Sequence, residues 1–331
     1  MKLLFIFTGG TIGSTQSGDF ISVDENKSYL IIEAYSKCYN IDFEYDVLEP
    51  YTELSEYNSG WHIRNLVSCV KQNDGRGYDG IIVAHGSDTL QYSAAAIGYC
   101  LGKNSCPICL VAANSPIENP ASNALDNLHG AISFIKQGGG SGAFVIYRNA
   151  NSNIVQVHRA TRLVASKAYS DDVESVGGII YGSFDSQFRF VKNINYVERA
   201  DEALLLDEIF IESFCHNIMI LPSYPAMIYP KIPNNVKYVI LNTYHSGTLN
   251  TRSKELIDFL SEARHKNVKV YATGISDGAQ YSSAEIFAEL GIEPLKNISP
   301  VAAYVKLWFL TSMKKDPTKF MSVSICGDMM C

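Results

Sequence analysis

The sequence predicts an α/β protein in two parts, a larger N-terminal domain built on a doubly wound, mostly parallel sheet and a smaller C-terminal α/β domain. Three observations carry that expectation. Short apolar runs alternate with helix-period segments through the first half; the alternation lapses near residue 190 and then resumes. At 331 residues the chain exceeds the length that one core usually serves, and 47% hydrophobic residues are ample for two.

The elements follow in order. Residues 2–7, 80–84 and 108–113 read as buried parallel strands, each ending in small or polar residues. Helix-period segments at 26–39, 60–72, 89–101 and 122–136 lie around them. Runs at 142–147 and 154–159, separated by Asn149-Ala-Asn-Ser-Asn153, read as a hairpin added to that sheet. A second alternation has strands at 218–221, 238–242 and 268–272, with helices at 251–264, 282–290 and 300–311. Ser299 followed by Pro300 is a cap and first-turn pair suited to the last helix. The expected division is a motif-carrying domain over 1–188, a linker over 189–216 and a C-terminal domain over 217–331.

Composition narrows the function classes. A net charge of −7 offers no basic footprint for nucleic acid, and no apolar run reaches the ~20 residues that cross a bilayer. The apolar opening runs straight into Thr8-Gly-Gly-Thr11 without a small-residue cleavage site, so a buried first strand is expected rather than a signal peptide. Eight scattered cysteines fit a reducing cytoplasm. Cys106-Pro-Ile-Cys109 has redox spacing, but it leads into Leu110-Val-Ala-Ala113 and reads as the start of a buried strand. His129, His158 and His245 show no ligand spacing, and no metal or organic cofactor is expected.

Two glycine-containing turns carry the chemistry: Thr8-Gly-Gly-Thr-Ile-Gly13 and His85-Gly-Ser-Asp-Thr89, each directly after a predicted strand. In an open parallel sheet, ligands bind outside the carboxyl ends of the strands. Gly10 and Gly86 let backbone N–H groups approach a ligand, and the second turn opens a helix whose free N–H groups favour negative charge. Hydroxyls at Thr11 and Ser87 beside such donors suit acyl transfer, and Asp88 can hold an ammonium group. His85 is expected to pack behind the loop. The glycine spacing does not match the dinucleotide fingerprint.

The segments Phe5-Ile-Phe-Thr-Gly-Gly-Thr-Ile-Gly13 and Gly80-Ile-Ile-Val-Ala-His-Gly-Ser-Asp-Thr89 resemble the two signatures of the bacterial-type L-asparaginase family. Arg159-Ala-Thr-Arg162, the Ser-Asn and Asp-Asn-Leu run at 122–128, Leu221-Pro-Ser-Tyr-Pro225 and Ile298-Ser-Pro-Val-Ala-Ala303 agree, in the same order. The resemblance implies hydrolysis of L-asparagine to L-aspartate and ammonia through an acyl-enzyme, by a homodimer or homotetramer. Thr11 would be the nucleophile, Ser87 the second catalytic hydroxyl and Asp88 the partner of the substrate amine. Ser55 and Glu56 would receive the α-carboxylate and α-amine, and the Ala113 backbone would contact the leaving amide.

Departures from the family pattern bear on activity. Ser87 replaces a threonine, keeping the hydroxyl and losing only the methyl that restricts its rotamer. Arg162 stands where a relay lysine is expected; it can orient Ser87 and Asp88 or stabilise charge, or pair with Asp88, but cannot act as a base. Lys167 is a candidate substitute. Phe20 falls where the mobile loop usually carries tyrosine, with Tyr29 as a stand-in, and Thr248 falls where a neighbouring subunit often offers asparagine. The alternatives are an amino-acid-binding pseudoenzyme of the same fold and a glutaminase-type amidase.

Overall fold

The computed structural model describes residues 1–10, 14–17, 20–23, 30–101, 104–197, 216–278 and 281–330. Thr11 and Tyr29, two of the residues singled out above, lie outside them.

An eight-stranded sheet forms the first part. Its strands are β1 (Lys2–Phe7), β4 (Glu44–Leu48), β5 (Gly80–Ala84), β6 (Ile108–Val111), β7 (Ala143–Arg148), β8 (Val155–Arg159), β9 (Gly182–Phe184) and β10 (Phe190–Lys192). Between β1 and β4 come a small separate hairpin of β2 (Ser14–Ser17) and β3 (Phe20–Val23) and the helix α1 (Leu30–Cys38). The strand order is β10-β9-β8-β7-β6-β5-β1-β4, with the β4 to β7 block parallel and the β7 to β10 edge antiparallel. The expected hairpin is therefore β7 and β8. The sheet runs to Lys192, past the expected boundary at 188, because Phe190–Lys192 pairs with β9.

Successive residues of a strand face opposite sides, and β1 shows the consequence. Leu4 and Ile6 join a core with α2 (Gly60–Asn73) and α3 (Leu90–Cys100), whereas Leu3, Phe5 and Phe7 join one with α1 and α4 (Ala124–Lys136). Cys106 and Cys109 are buried free cysteines at the start of β6, as the strand reading requires. Burial pushes the Cys106 thiol up to about 11 and the Cys109 thiol further up, which leaves both protonated and unreactive.

The second part is a parallel four-stranded sheet in the order β11-β12-β13-β14: Ile218–Pro222, Tyr238–Asn242, Lys269–Ile275 and Ile292–Lys296. One core forms against α5 (Lys254–His265). The expected helix at 282–290 shortens to α6 (Ser282–Glu285), and turns carry the chain on to Gly291. In α7 (Pro300–Ser312) Ser299 Oγ accepts from Ala302 N at 2.9 Å, the cap expected from sequence. Val305, Leu307 and Trp308 of α7, with Ile240, Tyr271 and Leu295, share the core that contains α2 and α3, so the two sheets are joined by continuous apolar packing.

β1 is the switch point of the first sheet. The chain leaves it toward β4 on one side and returns through α2 to β5 on the other. The loops after β1, β4 and β5 thus converge at one end of the sheet.

Candidate active site

The close approach of those loops depends on two glycines. Gly10 has φ +76°, and a Cβ there would lie 2.3 Å from Gly86 Cα. A Cβ on Gly86 would lie 2.5 Å from both Cβ and Oγ of Ser55. The three motif segments are stacked so tightly that no side chain fits between them. Backbone bonds hold the stack: Thr8 N donates to Ala84 O at 3.1 Å, Glu53 N to Thr8 O at 3.1 Å and Gly10 N to Glu53 O at 3.2 Å.

Ser55 opens a 3-10 turn over Ser55–Tyr57 and is buried. Its hydroxyl accepts from Asp88 N at 3.2 Å and donates to Asp88 Oδ2 at 3.4 Å. Thr89 Oγ1 donates to Ser55 O at 2.9 Å, and Asn58 Nδ2 donates to Thr89 Oγ1 at 3.1 Å. Ser87 is half-buried and Asp88 exposed, so both remain open to a small molecule. Among the described residues Asp88 makes no ion pair.

Beneath this cluster, His85 is completely buried, and burial pushes its imidazole down to about 4. The ring is neutral at pH 7. Its Nδ1 lies 2.8 Å from Gly86 O and so carries the proton, while Nε2 faces Asn58 Nδ2 at 3.4 Å. That is the packing role expected of it. Asn58, which links His85 to Thr89, was missed by sequence reasoning, because a lone asparagine in a loop carries no pattern. Asn58 and Thr89 also line a cavity of about 570 Å³ walled by Tyr92, Tyr304 and Trp308. Among the described residues no group of three or more His, Cys, Asp or Glu could hold a metal ion.

Comparison with known proteins settles the family. The family model described as Asparaginase, N-terminal matches residues 2–187, more than half of the chain. The chain belongs to the asparaginase family. It is 25% identical over 263 residues to the L-asparaginase of Thermococcus kodakarensis, covering 76% of each chain. It is also 25% identical over 242 residues to a glutamyl-tRNA(Gln) amidotransferase subunit of Thermoplasma volcanium; the match covers 70% of this chain and only 56% of that relative. A solved structure of the thermostable L-asparaginase from Thermococcus kodakarensis shares the fold along the full length of both chains, with a TM-score of 0.78 at 19% identity.

Against the asparaginase pattern, the other named residues divide. Gly10, Gly86, Ser55, Ser87 and Asp88 are brought together. Ala113, 1% exposed, lies two residues beyond the end of β6. Glu56 is exposed. Phe20 begins β3, with Ser17 as its cross-strand partner.

Arg162 is directed elsewhere. It is 1% exposed; Nε donates to Gly327 O at 2.6 Å, and Nη2 donates to Met329 O at 2.8 Å and Val197 O at 2.9 Å. Its guanidinium also sits 4.3 Å from the Tyr196 ring centre. In place of a pairing with Asp88, one of the two alternatives for this residue, the guanidinium makes a fork of carbonyl contacts, which suits a planar cation with several donors. Lys167, the candidate substitute, is an exposed side chain paired with Glu174 at 2.7 Å. Thr248 lies in the second part, its Oγ1 3.1 Å from Ser246 Oγ.

Among the described residues, no helix is long and apolar enough to cross a membrane.

Proposed function

We propose that this chain is an amidohydrolase that converts L-asparagine and water to L-aspartate and ammonia. The observation that carries the reading is the stacking of three motif loops at the switch point, with an exposed Asp88, which forms no ion pair among the described residues, beside the buried Ser55 hydroxyl. A small zwitterion needs an anion for its amine and neutral donors for its carboxylate. Asp88 supplies the first; the Ser87 hydroxyl, the N–H groups at the start of α3 and the Ser55 hydroxyl, on turning its proton from Asp88 Oδ2 to the ligand, supply the second.

Thr11, two residues after Gly9, is the proposed nucleophile. Its hydroxyl oxygen bonds to the amide carbon, the C–N bond breaks, and the hydroxyl proton leaves with the nitrogen as ammonia. Water then cleaves the ester and regenerates the hydroxyl. Ser87 relays the proton, Gly10 and Gly86 give the substrate backbone access, Phe20 closes the site, and Glu56 assists with the amine. Arg162, whose Nε and Nη2 donate to carbonyls, contributes through the shape of the fold rather than by proton transfer. The protein works in the cytoplasm as a homodimer or homotetramer, with Thr248 presented to a neighbouring subunit.

Two further readings have specific support. A glutamine-directed amidase draws on the relatives named as subunits of a glutamyl-tRNA(Gln) amidotransferase. An amino-acid-binding protein without turnover draws on the diversion of Arg162.

The test is ammonia release with L-asparagine, L-glutamine and D-asparagine, for the native protein and Thr11→Ala. Release from L-asparagine that disappears in the variant is expected, at a cost of at least about 10³-fold. Undiminished turnover in Thr11→Ala would falsify the nucleophile. Thermal stabilisation by asparagine without ammonia would favour the binding protein.

A further inference from the structure

The cavity of about 570 Å³ beside Asn58 and Thr89 lies between the two parts of the molecule, where α2 and α3 face β11 and α7. A cavity of that size at a domain junction suits one small molecule. Ser55, Ser87 and Asp88 do not line it. Asn58 and Thr89 form the wall between: Asn58 Nδ2 faces Thr89 and His85, and Thr89 Oγ1 donates to Ser55 O. The cavity is therefore a space apart from the cleft of the motif loops.

Its lining sets the chemistry of an occupant. Tyr304 and Trp308, one turn apart on α7, have rings 6.3 Å apart at 28°, and Tyr92 meets Tyr304 edge-on at 6.1 Å. Such surfaces favour a flat ring. The lining includes His216 but, among the described residues, no Asp, Glu, Lys or Arg. Ser59 and Thr89 are the N-caps of α2 and α3, so two positive helix ends meet here and oppose a cation. The side-chain oxygens oppose an anion. Thr89 spends its proton on Ser55 O, the Nδ2 protons of Asn58 face Thr89 and His85, and Asn58 Oδ1 is buried without a partner. What these two side chains have left is accepting capacity, which N–H donors satisfy.

We propose that this cavity binds a neutral heteroaromatic ring bearing N–H donors, of the aminopurine class, as a ligand distinct from the substrate of the motif loops. The ring packs among Tyr92, Tyr304 and Trp308, and its N–H groups turn to Asn58 Oδ1 and Thr89 Oγ1. Its ring nitrogens accept from the first-turn N–H groups of α2. The site stands whether or not the chain hydrolyses asparagine.

Trp61 and Trp308 are the two tryptophans of the chain, so Trp61→Phe leaves Trp308, in the cavity wall, as the sole reporter. The full chain with that change is titrated with adenine, N6,N6-dimethyladenine and benzoate, following tryptophan emission. A saturable change with adenine is expected at a Kd of about 1 mM or below. The dimethyl analogue, which lacks the amino N–H donors, should bind at least about 10-fold more weakly, and benzoate should give no saturable change. Adding Asn58→Leu should remove the preference for adenine over its dimethyl analogue. No saturable change with adenine, equal binding of the analogue, tighter binding of benzoate, or a preference that survives Asn58→Leu overturns the proposal. Should Asn58→Leu fail to fold, Ile220→Arg decides in its place. Ile220 lines the cavity and is 37% exposed, so the fold tolerates the change, and the added side chain should weaken adenine by at least about 10-fold. Undiminished binding there overturns the proposal as well.

Discussion

Asp88 and Asp328 are two carboxylates of the same chain held in opposite ways. Asp88 sits exposed at the start of α3, shares one hydroxyl with Ser55, and forms no ion pair among the described residues. Asp328 is fully buried and saturated: it pairs with Lys306 Nζ at 2.9 Å and accepts from Tyr99 OH at 2.8 Å and from Ile325 N at 2.9 Å. Lys306 also donates to Val323 O, and Thr161 and Arg162 bind carbonyls of Cys326, Gly327 and Met329. The C-terminal segment is thereby fastened to α3, to α7 and to the turn after β8. A carboxylate with spare accepting capacity in an open cleft is available to a ligand; one whose lone pairs are spent in a dry interior can only hold the fold together.

The sharpest way to break that comparison is Asp88→Asn. It should lower kcat/KM for asparagine by about 10²-fold or more, from loss of the charge that faces the substrate amine, while the melting temperature stays within about 2 °C. A large drop in melting with activity retained would reverse the assignment of the two aspartates.

Asp328→Asn should do the opposite. It leaves the buried Lys306 without its counter-charge, at a cost of about 3 kcal/mol, or roughly 4 °C in melting for a chain of this length. Turnover per folded molecule should change little. Calorimetry beside an activity assay at ~20 °C, well below the melting range, separates the two variants.

A smaller effect is expected from pH. His85 and His158 are both fully buried, and desolvation pushes each imidazole down to about 4 from 6.5. Between those values the unfolded chain binds protons that the folded one refuses, so stability falls as pH drops from 6.5 toward 4 and is unaffected by these groups above 6.5. At about pH 5 each histidine should cost about 2 kcal/mol relative to pH 7. Melting curves that do not move over that range would show that neither ring is held neutral. The slightest change is Lys167→Ala, which removes an exposed pair with Glu174 worth less than about 1 kcal/mol. A sharp loss of activity there would mean that Lys167 reaches the Ser87 loop.

Local pattern along the chain was enough for the alternation of strands and helices and for the glycine turns after β1 and after β5. Apolar runs such as Leu3–Phe7 and Ile81–Val83 have a local signature, because each buried residue must be apolar whatever its partner. Elements that are half-exposed or short had none. Glu44–Leu48 is an edge strand with mostly exposed side chains, Ile292–Lys296 is interrupted by Pro294, and β9 and β10 have three residues each. It took the folded chain to make Ser55 meet Asp88, 33 positions away, and to place Asn58 between His85 and Thr89. Folding also turned Arg162 toward carbonyls 165 and 167 positions away instead of toward Asp88. The physical reason is the same in each case. Burial is a property of one residue and leaves a periodic trace along the chain, whereas a polar contact belongs to two residues at once and leaves none until the sheet brings them together.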